Sequence, residues 1–189
     1  MTEANDAELI SRYLAGDKGA MEILISRYLK PVYGFVYRYA DNPADAEDIA
    51  QETFLRLLRN LNKFQPNKSF KAWLFTIAKN VALDFIKKKK TIPFSALTVL
   101  DNEGEKSSII ETLSDPAPWP DELFDRANLA AELNAAINEL PLKYQSVLLL
   151  HYQQQLTFQE ISEIESEPLN TVKNRHLRAL LKLKAILAI

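Results

Sequence analysis

LTFQEISEIESEPLNTVKNRHLRALLKLK, residues 156–184, is the stretch on which the reading of the whole chain turns. Thr157 stands where an N-cap is wanted, ahead of a short amphipathic run, and Pro168 interrupts the pattern before a second helical run begins. At about 100° per residue the second run turns Leu169, Val172, His176, Ala179, Leu180, Leu183 and Leu187 to one side. Lys173, Asn174, Leu177, Arg178, Leu181 and Lys184 fall on the other, with Arg175 and Lys182 at its flanks. A short helix, a tight turn and a longer cationic helix make a helix-turn-helix layout. In such a unit the second helix enters the major groove, where Lys and Arg reach guanine edges, Asn suits adenine and an apolar side chain can touch a thymine methyl. Lys173, Asn174, Leu177 and Arg178 are the residues placed for those contacts. The competing reading is a solvated helix face. The preceding short helix and the absence of any acid from residues 168–189, which hold five cations, favour DNA.

That cationic block sits in a chain whose formal net charge is only −2, so the charge is partitioned along the sequence. Residues 65–90 carry seven Lys against Asp84 alone, whereas residues 91–128 carry eight acids against Lys106 and Arg126. Residues 129–167 hold six acids and one Lys. Two basic surfaces separated by acidic segments point to local contact with a polyanion. The chain has 189 residues, 47% hydrophobic and 25% charged, enough for one domain or two small ones with a buried core. With no cysteine it can form neither a disulfide nor a thiolate metal site, and no apolar run approaches the roughly 20 residues that cross a bilayer. MTEANDAELISRYL has no signal-peptide pattern, so a cytoplasmic location without membrane insertion is expected. Two histidines far apart, four glycines and no phosphate loop argue against an enzyme, and neither cofactor nor metal is expected.

Apolar residues return every three or four positions along nearly the whole chain, which predicts an all-α fold. Helices are expected over 6–15, stopping at Gly16-Asp17, and from Lys18 onward, with Pro31 as either a kink or a new first turn before 32–40. DNPADAEDIAQETFLRLLRNL opens a third, the loop NKFQPNK follows, and a fourth begins at a Ser69 cap and ends before Pro93. Residues 91–120 mix Pro, Ser, Gly and acids without a sustained period and read as a linker. Helices over 121–139, 142–153, 157–164 and 169–187 complete the second half. The resulting expectation is two small helical domains, 1–92 and 121–189, joined by a flexible acidic linker over 93–120, the second domain containing the helix-turn-helix.

Two further surfaces carry information. In the third helix, Ala46, Ile49, Ala50, Thr53, Phe54, Leu57 and Leu61 share the core arc, while Leu55 lies opposite among Asp48, Gln51, Glu52 and Arg59. An apolar side chain in a polar face suits a protein contact, although a single exposed Leu is common. Residues 60–90 set Phe64, Asn67, Trp73 and Asn80 among lysines, the mixture with which proteins stack on and grip single-stranded nucleic acid. Helical spacing makes most of the aromatics core, which leaves the loop and Asn80 exposed. His176 is expected at the core or rim, and His151 is read as an ordinary packed histidine.

Together the two halves resemble the small, two-domain, extracytoplasmic-function sigma factors of bacteria. DAEDIAQETFLRLLRNLNKF with SFKAWLFTIAKNVALDFIKKKK is similar to that family's region two. LPLKYQSVLLLHYQQQLTFQEISEIESEPLNTVKNRHLRALLKL is similar to its region four. The resemblance implies a promoter-specificity subunit without covalent chemistry. Asp45, Asp48, Gln51, Glu52 and Leu55 would dock on the clamp helices of core RNA polymerase. Asn62, Lys63, Phe64, Asn67 and Lys68 would capture a base flipped from the minus-ten element, with Trp73, Lys79 and Asn80 where melting starts. Lys173, Asn174, Arg175, Leu177 and Arg178 would read the minus-thirty-five duplex. An anti-sigma factor, often membrane-anchored in this family, would be a third partner beside polymerase and promoter DNA. The linker would thread the polymerase channel.

The chain departs from the family in three places. Asn170 replaces a Gly and is expected to take a left-handed backbone, the turn IESEP also lacks Gly, and lysines stand in for arginines after Asp84. Two other readings compete: a polymerase-independent helix-turn-helix repressor, which needs a dimer surface that no heptad here provides, and a module that binds an acidic regulator.

Overall fold

The computed structural model describes residues 4–91 and 131–187. Every element among them is helical, and no strand occurs. The expected linker over 93–120, and the beginning of the helix expected from 121, lie outside the described residues.

The first half is built from α1 (Asp6–Leu14), α2 (Lys18–Val36), α3 (Pro43–Asn60) and α4 (Phe70–Thr91). Each start is set by a side chain that accepts an otherwise orphaned N–H. Glu8 N donates to Asn5 Oδ1 at 2.9 Å, Asp45 N to Asn42 Oδ1 at 2.9 Å, and Ala72 N to Ser69 Oγ at 3.2 Å, so the Ser69 cap is present. Between α1 and α2 the chain turns at Gly16, whose φ of +104° suits only glycine. Asp17 then caps α2 and pairs with Arg12 at 2.7 Å. α2 runs through Pro31 as one helix, so Pro31 does not open a new one. The missing N–H is tolerated because Val32, Phe35 and Val36 are buried and hold the last turns against the core.

The second half comprises α5 over 131–139, α6 (Leu142–Leu148), α7 (Phe158–Glu165) and α8 (Leu169–Ile186). The helix expected over 142–153 is regular only to Leu148 and widens into a π turn over Leu149–Gln153, closed by Gln154 N donating to Leu149 O at 3.1 Å. His151 serves this turn: its Nδ1 lies 2.9 Å from the Leu156 carbonyl, which can only accept, so the proton is on Nδ1. Its ring stacks on Phe158 at 4.4 Å.

α7 opens with a complete capping box between Thr157 and Glu160 and ends at Ser166, which takes the left-handed conformation at φ +54°. Here the structure corrects the sequence reading. Ser166 occupies the left-handed position of the turn, while Asn170 lies within the first turn of α8 in ordinary helical geometry. Pro168 sets the boundary one residue ahead of α8, so the reversal is complete before Asn170 is reached.

The two halves do not have separate cores. One cluster joins Leu24, Phe35, Leu57, Leu74 and Phe75 of the first half to Val147, Leu150, Leu156, Ile161, Ile164 and Val172 of the second. α7 lies along α4. A smaller cluster, Leu140, Tyr144, Leu148 and Ala179, binds α6 to α8.

Candidate nucleic-acid and polymerase interfaces

The α3 surface follows from the wheel. Ala46, Ile49, Ala50, Thr53, Phe54 and Leu57 are buried, and Leu55 on the opposite side is 47% exposed. Asp48 and Gln51 are exposed beside it. Glu52 and Asp45 are partly engaged: Glu52 accepts from Arg56 Nε at 2.7 Å, and Asp45 accepts from Lys89 Nζ at 2.8 Å. Arg56 also reaches Asp84 at 2.9 Å and so ties α3 to α4. The feature is an apolar side chain on an acidic rim, a shape suited to a protein partner.

In the loop after α3, Leu61–Lys63 form a 3-10 turn and Asn62, Lys63, Asn67 and Lys68 are exposed. Phe64 is half-buried, edge-on to Phe70 at 5.6 Å and tilted over Trp73 at 5.3 Å, so the loop hangs on a small aromatic stack. Beside it opens a cleft of about 590 Å³. Arg27, Phe64, Lys68 and Lys71 of the first half line it together with Gln154, Gln155 and Glu160 of the second. Asn80 is exposed on α4. Lys79, expected near melting DNA, is instead turned into the contact between halves. Its side chain is 13% exposed, its Nζ lies 3.1 Å from Glu165 Oε2, and it donates to the Ile164 carbonyl at 3.2 Å.

On α8, Lys173, Asn174, Leu177 and Arg178 are exposed together as one stripe, with Leu177 at 57%. A cleft of about 280 Å³ beside it is lined by Lys143, Tyr144, Thr171, Asn174, Arg175 and Arg178. Arg175 differs from its neighbours. Its side chain is 15% exposed, 3.6 Å from Glu165 and 2.9 Å from Glu167. His176 is on the rim, as expected, with Nε2 3.1 Å from the Tyr152 hydroxyl. Burial, and then the neighbouring His151, hold its ring below the ordinary histidine value.

Sequence reasoning missed Glu165, Glu160, Tyr39 and Ser146. The Glu165 side chain is 7% exposed and accepts from Ser146 Oγ at 2.5 Å, while Tyr39 Oη donates to Ser146 Oγ at 3.4 Å. Burial pushes the Tyr39 phenol up to about 12. Burial raises the Glu160 carboxyl, but the Thr157 N–H, the Ser69 and Thr157 hydroxyls and the Lys71 charge bring it below its ordinary value. The charge partition was the available signal, since an acidic segment in 129–167 faces a basic one in 65–90. Among the described residues no group of three His, Asp or Glu could hold a metal, and no helix is long and apolar enough to cross a membrane.

Comparison with known proteins agrees with this geometry. The family model for Sigma-70 region 2 matches residues 24–92, and that for Sigma-70, region 4 matches residues 130–183. The ECF RNA polymerase sigma factor SigW of Bacillus subtilis is 33% identical over 166 residues, covering 88% of each chain. The RNA polymerase sigma-H factor of Pseudomonas aeruginosa is 28% identical over 180 residues, 95% of this chain and 92% of that one. Among solved structures, CnrH in complex with the cytosolic domain of CnrY shares the fold with a TM-score of 0.62, 21% identity and 97% of both chains covered. The sigma factor RpoE in complex with the anti-sigma factor NepR, from Bartonella quintana, gives 0.64 at 18% identity, over 89% of this chain and 97% of that one.

A helical region 2 followed by a helix-turn-helix region 4 defines the class of sigma-70-type initiation factors, whose work is promoter recognition. Within that class the chain belongs to the ECF RNA polymerase sigma factors.

Proposed function

We propose that this chain docks on bacterial core RNA polymerase through α3, with Leu55 seated in an apolar site and Asp48 and Gln51 on its rim. Asp45 and Glu52 extend the rim once Lys89 and Arg56 release them. The loop with Asn62, Lys63, Phe64, Asn67 and Lys68 captures a base of the minus-ten element, and Trp73, Lys79 and Asn80 border the melted strand. Unstacking a base costs a few kcal/mol, which a cationic loop held on an aromatic stack can repay. Lys173, Asn174, Leu177 and Arg178 read the minus-thirty-five duplex, and Arg175 joins them when freed from Glu165 and Glu167. The functional division is 1–92, 93–120 and 121–189.

The observation that carries this reading is the joint exposure of Lys173, Asn174, Leu177 and Arg178 on the second helix of a capped helix-turn-helix. The chain performs no covalent chemistry, works in the cytoplasm, and is restrained by an anti-sigma partner, as CnrH and RpoE are found with CnrY and NepR. The test is transcription by sigma-free core polymerase on fragmented host DNA with this protein added, followed by sequencing of the transcript ends. Discrete starts that share two upstream elements are expected. Lys173→Ala and Arg178→Ala should weaken use of the upstream element, and the salt slope of duplex binding should fall by about 0.9 for each phosphate no longer neutralised. No defined starts with a folded protein would refute the reading.

A further inference from the structure

The contact between the halves covers part of the surface assigned to melted DNA. Lys79 is held by Glu165 at 3.1 Å and by the Ile164 carbonyl, and Lys71 donates to the Gln154 carbonyl at 3.1 Å. Glu160 lines the same cleft as Ser69 and Lys71, whose hydroxyl and charge act to lower its carboxyl. Acceptors of the second half therefore occupy cationic donors of the first, as phosphate oxygens would. Away from this edge the contact is closed by Arg38, which donates to Asn138 and Gln145. Beneath both edges runs the shared core of Phe75, Ile161 and Ile164.

Geometry makes this arrangement incompatible with promoter binding. Elements named for positions minus ten and minus thirty-five are centred about 25 base pairs apart, about 85 Å of duplex at 3.4 Å per step. A chain of this length folded as one body is about 40 Å across. With α7 against α4, the two reading surfaces cannot reach both elements.

We propose that the helix-turn-helix half acts as an intramolecular lid on the minus-ten surface, with Glu165 and Glu160 standing in for DNA phosphates, so that the chain is latent until this contact opens. The proposal rests on the minus-ten reading above. Glu165 is the pivot. In the closed chain it pairs with Lys79 and Arg175 and accepts from the Ser146 hydroxyl. Opening frees Lys79 for the minus-ten strand, whereas Arg175 lies in the same half as Glu165 and Glu167 and keeps its pairs there.

The test uses the full chain, which has no cysteine of its own. Spin labels at Ser26→Cys and Glu163→Cys, both exposed, report the separation of the halves, and a fluorescein-labelled oligothymidylate of about 20 nucleotides reports single-strand binding. The wild-type chain should give one short, narrow distance that lengthens as oligonucleotide binds. Glu165→Gln leaves Lys79 buried without its carboxylate only in the closed form, so it should lengthen the distance and tighten oligonucleotide binding roughly tenfold. Arg38→Ala, which disturbs neither α7 nor α8, should act in the same direction. Glu167→Gln, which loses a pair with Arg175 inside the second half, should not. A wild-type chain that binds the oligonucleotide at unchanged distance overturns the lid and leaves the minus-ten reading intact. Opened variants that bind no oligonucleotide overturn the minus-ten reading and the lid with it.

Discussion

Ile161 tests whether the shared core couples the two halves. It lies on α7, is fully buried, and belongs to the cluster that includes Leu74, Phe75 and Ala78 of α4. Ile161→Ala removes three carbons from a packed site, and such truncations cost about 2–5 kcal/mol through lost transfer energy and the residual cavity. Taking about 3 kcal/mol, and a urea dependence of about 2 kcal/mol per molar, the unfolding midpoint should fall by about 1.5 M. Trp73, on α4 against Phe64 and Phe70, reports the first half alone once the other tryptophan is removed as Trp119→Phe. If the core is continuous, Trp73 fluorescence and far-UV circular dichroism should shift together, although the substitution is on the opposite half. A Trp73 midpoint that stays within about 0.3 M while the dichroism loses a separate early phase would refute the coupling. The same result would leave the lid without its hydrophobic floor.

Leu55→Asp should weaken binding to core polymerase tenfold or more, as loss of a central apolar anchor does, while the helical dichroism is unchanged because the side chain is exposed. Unaltered affinity in a titration with labelled core would remove Leu55 from the interface. Thr157→Ala breaks the capping box of α7 and should cost about 1 kcal/mol in urea unfolding. His176 has a depressed value in the folded chain, so its contribution to stability is present above its ordinary value of 6.5 and is lost as pH falls through the lower folded value. Thermal unfolding should therefore show a stability loss below pH 6.5 that His176→Phe reduces, and an identical profile in the variant would exclude this histidine as the cause.

Much of the architecture was legible in the sequence because it is written locally. The caps at Ser69 and Thr157, the period of buried residues in α3 and the outward stripe on α8 depend on spacings within one helix. Leu55 stood out for the same reason: a helical wheel needs only its own residues. The left-handed position was misassigned from Ser166 to Asn170, because either residue can adopt that backbone and the choice depends on where α7 ends relative to Pro168. The π turn at Leu149–Gln153 was not legible, since it exists to bring His151 and Leu156 into register with α7.

The sequence by itself determined the class of helices, their order and two basic surfaces, since periodicity, capping and charge runs act over a few residues, and its resemblance to the sigma family supplied the pairing of regions. Only the tertiary structure decided the state of those surfaces. Lys79 and Arg175 look equivalent to their neighbours in the sequence, yet both converge on Glu165, a residue 86 positions from one and 10 from the other. A buried ion pair is set by which helices pack, and packing brings together residues whose separation along the chain carries no local signal.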